Sequence, residues 1–305
     1  MNKIYIDKDK CVHCGACTAA CGSDSLRLEG KDCTLSFDKD RCAGCESCIK
    51  ACPLRAITVD MAIRWMYEER FYREIMKSKD LLCFNVTEGE SDLQIFAKDD
   101  LEEEARKALI KCRSQLHEYI RKNPHFLTSL EPVKPQKNSP EIVKQMCRAA
   151  KSAKVGPMAA VAGAVSKYVG LSLLKHTEEM IIENGGDIFL RTKIDRKISI
   201  YAGNSPFSNK IALLIPGSDE ELGICTSSGT VGHSLSFGKA DAAVILARDA
   251  VLADAAATAA GNAVKDQNDI EKGIETAMSI PGVEGVLIIV GDKMGAFGNI
   301  NLIKP

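Results

Sequence analysis

Two stretches decide the fold of the N-terminal part: CVHCGACTAAC at 11–21 and CAGCESCIKACP at 42–53. Both space their cysteines as C-x2-C-x2-C-x3-C, which gives Cys11, Cys14, Cys17 and Cys21 in the first and Cys42, Cys45, Cys48 and Cys52 in the second. The sequence around them repeats. IYIDKDKC (4–11) lies over LSFDKDRC (35–42) at an offset of 31 residues, and Leu26 and Leu28 lie over Ile57 and Val59 at the same offset. One offset shared by apolar and cysteine positions marks a duplicated unit. Each half reads as strand, cysteine loop, short helix, strand.

This spacing resembles that of bacterial two-cluster ferredoxins. The resemblance implies two [4Fe–4S] clusters in a pseudo-symmetric α+β domain over residues 1–60. Three thiolates on one tight loop reach three irons of one cubane, while the fourth, at the start of the helix that follows, reaches the other cluster. Cluster one is therefore expected on Cys11, Cys14, Cys17 and Cys52, and cluster two on Cys42, Cys45, Cys48 and Cys21. Structural zinc pairs its cysteines across a longer gap. Thirteen cysteines without an export signal also speak against disulfides. Gly22 stands where the second half has Pro53, so that turn is less stiff and cluster two is expected to be the more labile. His13 reads as a bystander and Cys33 as a packing or surface residue.

A length of 305 residues exceeds what one core usually organises, so two domains are expected, 1–60 and 61–305. Forty basic and forty-one acidic residues give a net charge of −1, which argues against a nucleic-acid partner. Residues 1–60 hold nine of each sign, so they lack a strong acidic face for steering onto a basic partner. MNKIYIDKDK has no apolar signal region. The runs AAVILA and GVLIIV fall far short of the ~20 residues that span a bilayer. A soluble, cytoplasmic chain with no membrane partner is the expectation.

Residues 61–80 contain no Pro or Gly and fit a helix or a strand equally, so a floppy tether is not expected there. Beyond them, LLCFNVTE and SDLQIFA read as strands, and 100–122 as an amphipathic helix with acids in its first turn and bases at its end. A loop at 130–140 precedes two further helices. Short strands follow, and the end alternates strand with helix through DAAVILA, 249–264, 268–279 and GVLIIVG. The fold class is α+β throughout. Cys83, Cys112 and Cys147 read as packing residues.

The blocks VGPMAAVAGA (155–164), ENGGDIFL (183–190), IYAG (200–203), TSSGTVGHSLSFGKADA (226–242) and ADAAATAAGN (253–262) carry a second resemblance. Together they resemble an uncharacterised, mainly archaeal and anaerobe family related to the ApbE proteins, which are Mg²⁺-dependent FMN transferases. In ADAAAT, Asp254 and Thr258 stand four apart on one helix face and offer hard oxygen ligands; the resemblance places Mg²⁺ there. It places a flavin nucleotide, FAD or FMN, near Gly185, Gly186 and Asp187. Ser228 and Thr230 supply hydroxyls and exposed amides for a diphosphate cradle. His233 matches the ApbE histidine and would bind the cofactor or move a proton. Cys225, just before the cradle, is either a small buried strand residue or a redox or persulfide-carrying thiol stabilised by nearby amides. The candidate catalytic groups are thus His233 and Cys225.

Three functions are open at this stage. The first is an anaerobic iron–sulfur redox protein that takes electrons from a redox partner protein and passes them to a flavin. The resemblance connects it to sulfur metabolism, with an unread small-molecule substrate. The second is an FMN transferase that matures a partner protein. The third is a ferredoxin module on a non-enzymatic nucleotide-binding scaffold.

Overall fold

The computed structural model describes residues 4–8, 10–30, 33–39, 41–42, 47–54, 56–59, 73, 78, 80–231 and 236–305. The chain folds as two units, Met1–Glu69 and Arg70–Pro305. The stretch 61–80 lies outside the described residues apart from Arg73, Ser78 and Asp80.

The first unit keeps the duplication of its sequence. Strand β1 (Ile4–Ile6), helix α1 (Ala16–Ala19) and strand β2 (Leu26–Glu29) recur as β3 (Thr34–Phe37), α2 (Ser47–Ala51) and β4 (Ile57–Val59). The strands pair across the halves. β1 runs antiparallel to β4 with Ile4 opposite Val59, and β2 runs antiparallel to β3 with Leu26 opposite Phe37. Ile4, Leu26 and Ile57 are buried together with Cys17 and Cys48, so the small apolar core is shared with two of the ladder cysteines. A unit this size buries little apolar surface on its own.

The second unit is built on one antiparallel sheet of eight strands. Strands β5 (Leu82–Glu88), β6 (Ser91–Ala97), β7 (Met180–Asn184) and β8 (Asp187–Thr192) form one side of it. β11 (Ser218–Ser227), β12 (Ala242–Ala247), β13 (Val283–Val290) and β14 (Lys293–Gly298) complete it, with β8 and β11 as the joining pair. A small sheet of β9 (Arg196–Ser199), β10 (Ala212–Ile215) and β15 (Leu302–Ile303) stands apart from it in hydrogen bonding. The sequence does not announce β14, because KMGAFG is an exposed edge strand without apolar alternation.

The central strands are buried on both faces. Along β12, Ala243, Ile245 and Ala247 enter one core while Ala242, Val244 and Leu246 enter the other, as the two-residue period of a strand requires. The first core takes the helices: α3 (Glu102–Lys122), the short α4 (His125–Thr128), α5 (Glu141–Ala153), α6 (Val161–Leu173), α7 (Ala250–Ala263) and α8 (Ile270–Met278). The second takes Ile198, Leu213 and Ile215 of the small sheet. In α3, Ala105, Ala108, Leu109, Cys112, Leu116 and Tyr119 make the buried stripe, with three glutamates in the first turn and Arg121 and Lys122 in the last. That charge order complements the helix dipole. Cys112 and Cys147 pack in this core, as expected, whereas Cys83 stands exposed on the edge strand β5 and is not a packing residue.

Helix α7 determines where the site can form. It starts at the Asp249 side chain, which accepts the Val251 N–H at 2.9 Å. Its apolar residues are nearly all alanine, and it lies almost backbone to backbone on β11. A Cβ on Gly223 would stand 2.3 Å from Ala250 Cα. Gly223→Ala should therefore destabilise the second unit by about 1–3 kcal/mol, the usual cost of overpacking, read as a lower urea midpoint with an unchanged slope. An unaltered midpoint would mean that the helix lifts off without cost.

Candidate functional site

In the first unit a cavity is lined by Cys11, Cys14, Cys17 and Cys52, with Leu35 and Ile57 behind them. Three of these cysteines come from the first loop and one from the far end of the second. The Cys17 thiol is pushed up first by burial and then by Cys11, Cys52 and Cys14. The Cys48 thiol is pushed up likewise by burial, then by Cys21 and Cys42. Each loop therefore meets the fourth cysteine of the other half. Cys45 lies outside the described residues. Burial opposes ionisation of Cys21, but hydrogen bonds from Ser25 and Ser23 outweigh it and bring the thiol down to about 6. His13 is more than a bystander: its Nδ1 accepts the Leu35 N–H at 2.9 Å and so ties the first loop to β3.

In the second unit the candidate residues converge where β8, β11, α6 and α7 meet. Asn184 and Asp187 face each other across a two-residue hairpin loop. Gly185 and Gly186 supply the positive φ values, +69° and +98°, that such a turn requires. Asp187 then lies opposite Cys225 in the β8–β11 register, so both side chains leave the same sheet face. Across from them, the Asp254 carboxylate accepts the Gly163 N–H at 2.8 Å, in the first turn of α6. A Cβ on Gly163 would lie 2.3 Å from Ala250 O, so only glycine brings that amide within reach.

The electrostatics of this cluster are unusual. Burial pushes Asp254 up to about 7, against the pull of the Gly163 and Ala162 amides. Asp187 is pushed well above the carboxylate range, first by burial and then by Asp254. Its Oδ1 is buried and has no hydrogen-bond partner among the described residues. Among the described residues these two neighbouring buried carboxyls have no cationic partner, and a hard divalent cation fits that deficit. Thr258 is half-buried one turn along α7 from Asp254. A Cβ on Gly186 would rest in ordinary contact with Thr226 at 3.8 Å, so its positive φ rather than crowding calls for glycine there.

Of the two readings of Cys225, the structure takes the small buried strand residue. Cys225 is fully buried, and burial followed by the charges of Asp187 and Asp254 pushes its thiol well above normal. Its Sγ donates to Ala250 O at 3.4 Å. The Ile188 amide reaches the sulfur, but burial and the two carboxyls outweigh it, so Cys225 is a protonated thiol. The cradle amides are also committed. Gly229 N–H donates to Ala240 O at 2.8 Å, and the Thr230 and Val231 amides donate to Ser228 Oγ at 3.1 and 2.9 Å. Thr230 Oγ1 donates to Asp241 Oδ1 at 2.8 Å. The Ser228–Thr230 turn therefore satisfies itself. His233 lies outside the described residues.

The structure adds residues that the motifs did not single out. Glu183 Oε1 accepts the Gly186 N–H at 2.7 Å, and its Oε2 accepts from Arg73 Nε at 2.6 Å. Arg73 also donates to Asp92 Oδ2 at 2.9 Å. This buried network fixes the turn that carries Asp187. Asp241 holds the 228–231 turn and, through Oδ2, the Gly291 N–H at 2.6 Å. The available signal was an acid inside or beside an apolar strand, as in MIIEN and DAAVILA.

Without divalent cation, the second unit should lose stability as pH rises from the unfolded aspartate value of about 4 toward 7, where Asp254 titrates when folded. Across that window the folded state binds more protons than the unfolded chain. Asp254→Asn should flatten this part of the profile, and Mg²⁺ should stabilise the wild type more above the window than below it. Thermal unfolding at constant ionic strength measures both. A flat wild-type profile would refute the protonated pair.

No described helix is long and apolar enough to cross a membrane. Residues 4–59 match a 4Fe-4S dicluster domain. Over 206 residues the chain is 43% identical to a UPF0280 protein of Methanocaldococcus jannaschii, covering 66% of this chain and 84% of that one. It is 44% identical over 201 residues to a UPF0280 protein of Methanococcus vannielii, covering 64% and 81%. The fold is similar to that of the ApbE protein of Thermotoga maritima, with a TM-score of 0.52 and 12% identity over 70% of this chain and 96% of that one. Residues 73–294 match the AbpE bacteria family, and the chain belongs to that family, with a 4Fe-4S dicluster domain ahead of the matched region.

Proposed function

We propose that the chain is an electron-transfer protein. Its first unit holds one [4Fe–4S] cluster on Cys11, Cys14, Cys17 and Cys52, and a second on Cys42, Cys45, Cys48 and Cys21. Its second unit binds FAD or FMN together with Mg²⁺, and a redox partner protein supplies the electrons. The observation that carries the reading is the cavity where three cysteines of one loop meet Cys52 of the other. The buried Asp187–Asp254 pair with its orphaned oxygen supports the cation. When bound, the clusters supply one-electron steps, and a flavin connects single electrons to paired ones.

The residues of the chain have distinct tasks in this reading. Asp187 and Asp254 hold the cation, with the Thr258 hydroxyl available one helical turn away. Glu183 and Arg73 orient the hairpin so that Asp187 faces Asp254. His233 is assigned to the nucleotide on the ApbE resemblance. Cys225 positions Asp187 as a neutral thiol and carries no sulfur or electrons.

A second reading, FMN transfer to a partner protein, is favoured by one observation: ADAAAT keeps Asp254 and Thr258 one turn apart on α7. Anaerobic purification distinguishes the two. Retained flavin supports electron transfer, while Mg²⁺-dependent cleavage of added FAD supports the transferase. In either case about eight irons per chain are expected, four for each cubane. Cys17→Ala and Cys48→Ala should each remove a different cluster. Asp254→Ala should abolish the strengthening of flavin binding by Mg²⁺ and leave the iron–sulfur spectrum unchanged. Stoichiometric zinc in place of iron would overturn the cluster assignment, and Mg²⁺-independent flavin binding in the wild type would overturn the cation site.

A further inference from the structure

The duplication of the first unit provides an internal control on its two cluster sites. After each fourth cysteine the chain makes the same turn. Ser25 N–H donates to Cys21 Sγ at 3.3 Å, and Ala56 N–H donates to Cys52 Sγ at 3.2 Å. These two backbone bonds occupy equivalent positions at the 31-residue offset, so their effects on the two sulfurs cancel in a comparison.

The side chains do not cancel. Ser25 Oγ lies 3.1 Å from Cys21 Sγ, and Ser23 Oγ lies 3.6 Å from it. Ser23 Oγ also donates to Ser25 Oγ at 3.2 Å, which makes the pair a short hydroxyl chain ending on the sulfur. At the same offset the other half has Leu54 and Ala56, whose side chains carry no polar hydrogen. Ser25 is only 3% exposed, so water does not compete for its hydroxyl. A sulfur bound to iron has no proton of its own, so in the loaded protein the Ser25 hydroxyl donates to it while Ser23 donates to Ser25 from behind.

The first cluster gains no matching donor from His13. Its Nδ1 stands 3.8 Å from Cys11 Sγ but already accepts the Leu35 N–H, so that nitrogen has no proton to give.

We infer that the cluster held by Cys42, Cys45, Cys48 and Cys21 is the higher-potential one, raised by the Ser23–Ser25 hydroxyls, and that the first electron entering the unit rests there; this depends on the cluster assignment proposed above. Hydrogen bonds to the sulfurs are among the determinants of cluster potential. On reduction each cluster takes one electron from an external one-electron donor, and no bond to the protein forms or breaks. The added negative charge falls partly on the ligand sulfurs, where donors stabilise it.

The test uses the full chain, reconstituted anaerobically, checked for iron, and poised at successive potentials under electron paramagnetic resonance. Cys14→Ala and Cys45→Ala, each removing one cluster, assign the two reduction waves. Ser25→Ala should lower the upper wave alone, and Ser25→Thr should restore it. Removing both hydroxyls should shift the electron ratio toward the other cluster by about tenfold, equivalent to 59 mV for a one-electron couple. Conversely, Ala56→Ser should raise the lower wave. An upper wave that belongs to the Cys52-ligated cluster, or a Ser25→Ala variant that moves neither wave or both equally, overturns the inference. Iron well short of eight atoms per chain would instead bring down the cluster assignment itself, and the inference with it.

Discussion

The second unit depends on the near contact of two backbones, helix α7 against strand β11. Gly223 allows Ala250 to sit directly on the strand, and Gly163 brings the first turn of α6 against the same helix. Alanine and glycine at these positions contribute little hydrophobic area each. What they provide is proximity, because a larger side chain anywhere on this face would hold the helices and the sheet apart. The polar consequence follows directly. Asp254 faces inward from an alanine helix with the Gly163 and Ala162 amides supporting it, and Asp187 enters the same space from the sheet.

That arrangement is costly for a domain left empty. Burying a carboxyl without a full set of donors works against folding, and a second one beside it adds repulsion. Proteins keep such pairs where the missing charge arrives with a ligand. The neighbouring residues are consistent with this. Glu183 is as deeply buried as Asp187, yet it is matched by Arg73, whereas Asp187 and Asp254 have no cationic partner among the described residues. Cys225, between them, stays protonated for the same electrostatic reason and can lend a neutral side chain to the cluster.

Much of this was legible in the sequence, and for physical reasons. The cysteine ladder and its 31-residue offset gave the order of elements in the first unit because metal ligation and duplication constrain spacing tightly. The pairing of Cys52 with the first loop followed from the same spacing. In the second unit the ADAAAT and GGD blocks marked two walls of the site, yet their convergence depends on pairing between β8 and β11, which no local pattern encodes. The exposed amides expected at Ser228–Thr230 failed because hydroxyls in a tight turn satisfy nearby amides before any ligand does. For Cys225 the sequence left a buried strand residue and an activated thiol both open, because the carboxyls that face it come from distant parts of the chain. Edge strand β14 was missed because an exposed strand has no buried face to impose alternation.

A duplicated fold separates what topology imposes from what side chains add. The amide-to-sulfur bonds at Cys21 and Cys52 persist at nearly equal length because the turn that makes them is required for each half to pair with the other. Nothing in that pairing dictates the residues at 23 and 25 or at 54 and 56, so these positions were free to diverge. They diverged in polarity, with two hydroxyls beside the Cys21 sulfur and a leucine and an alanine at the equivalent positions of the other half. A change of this kind leaves the backbone and the cysteine spacing intact. It therefore alters the chemistry of one cluster site without altering the fold that builds both.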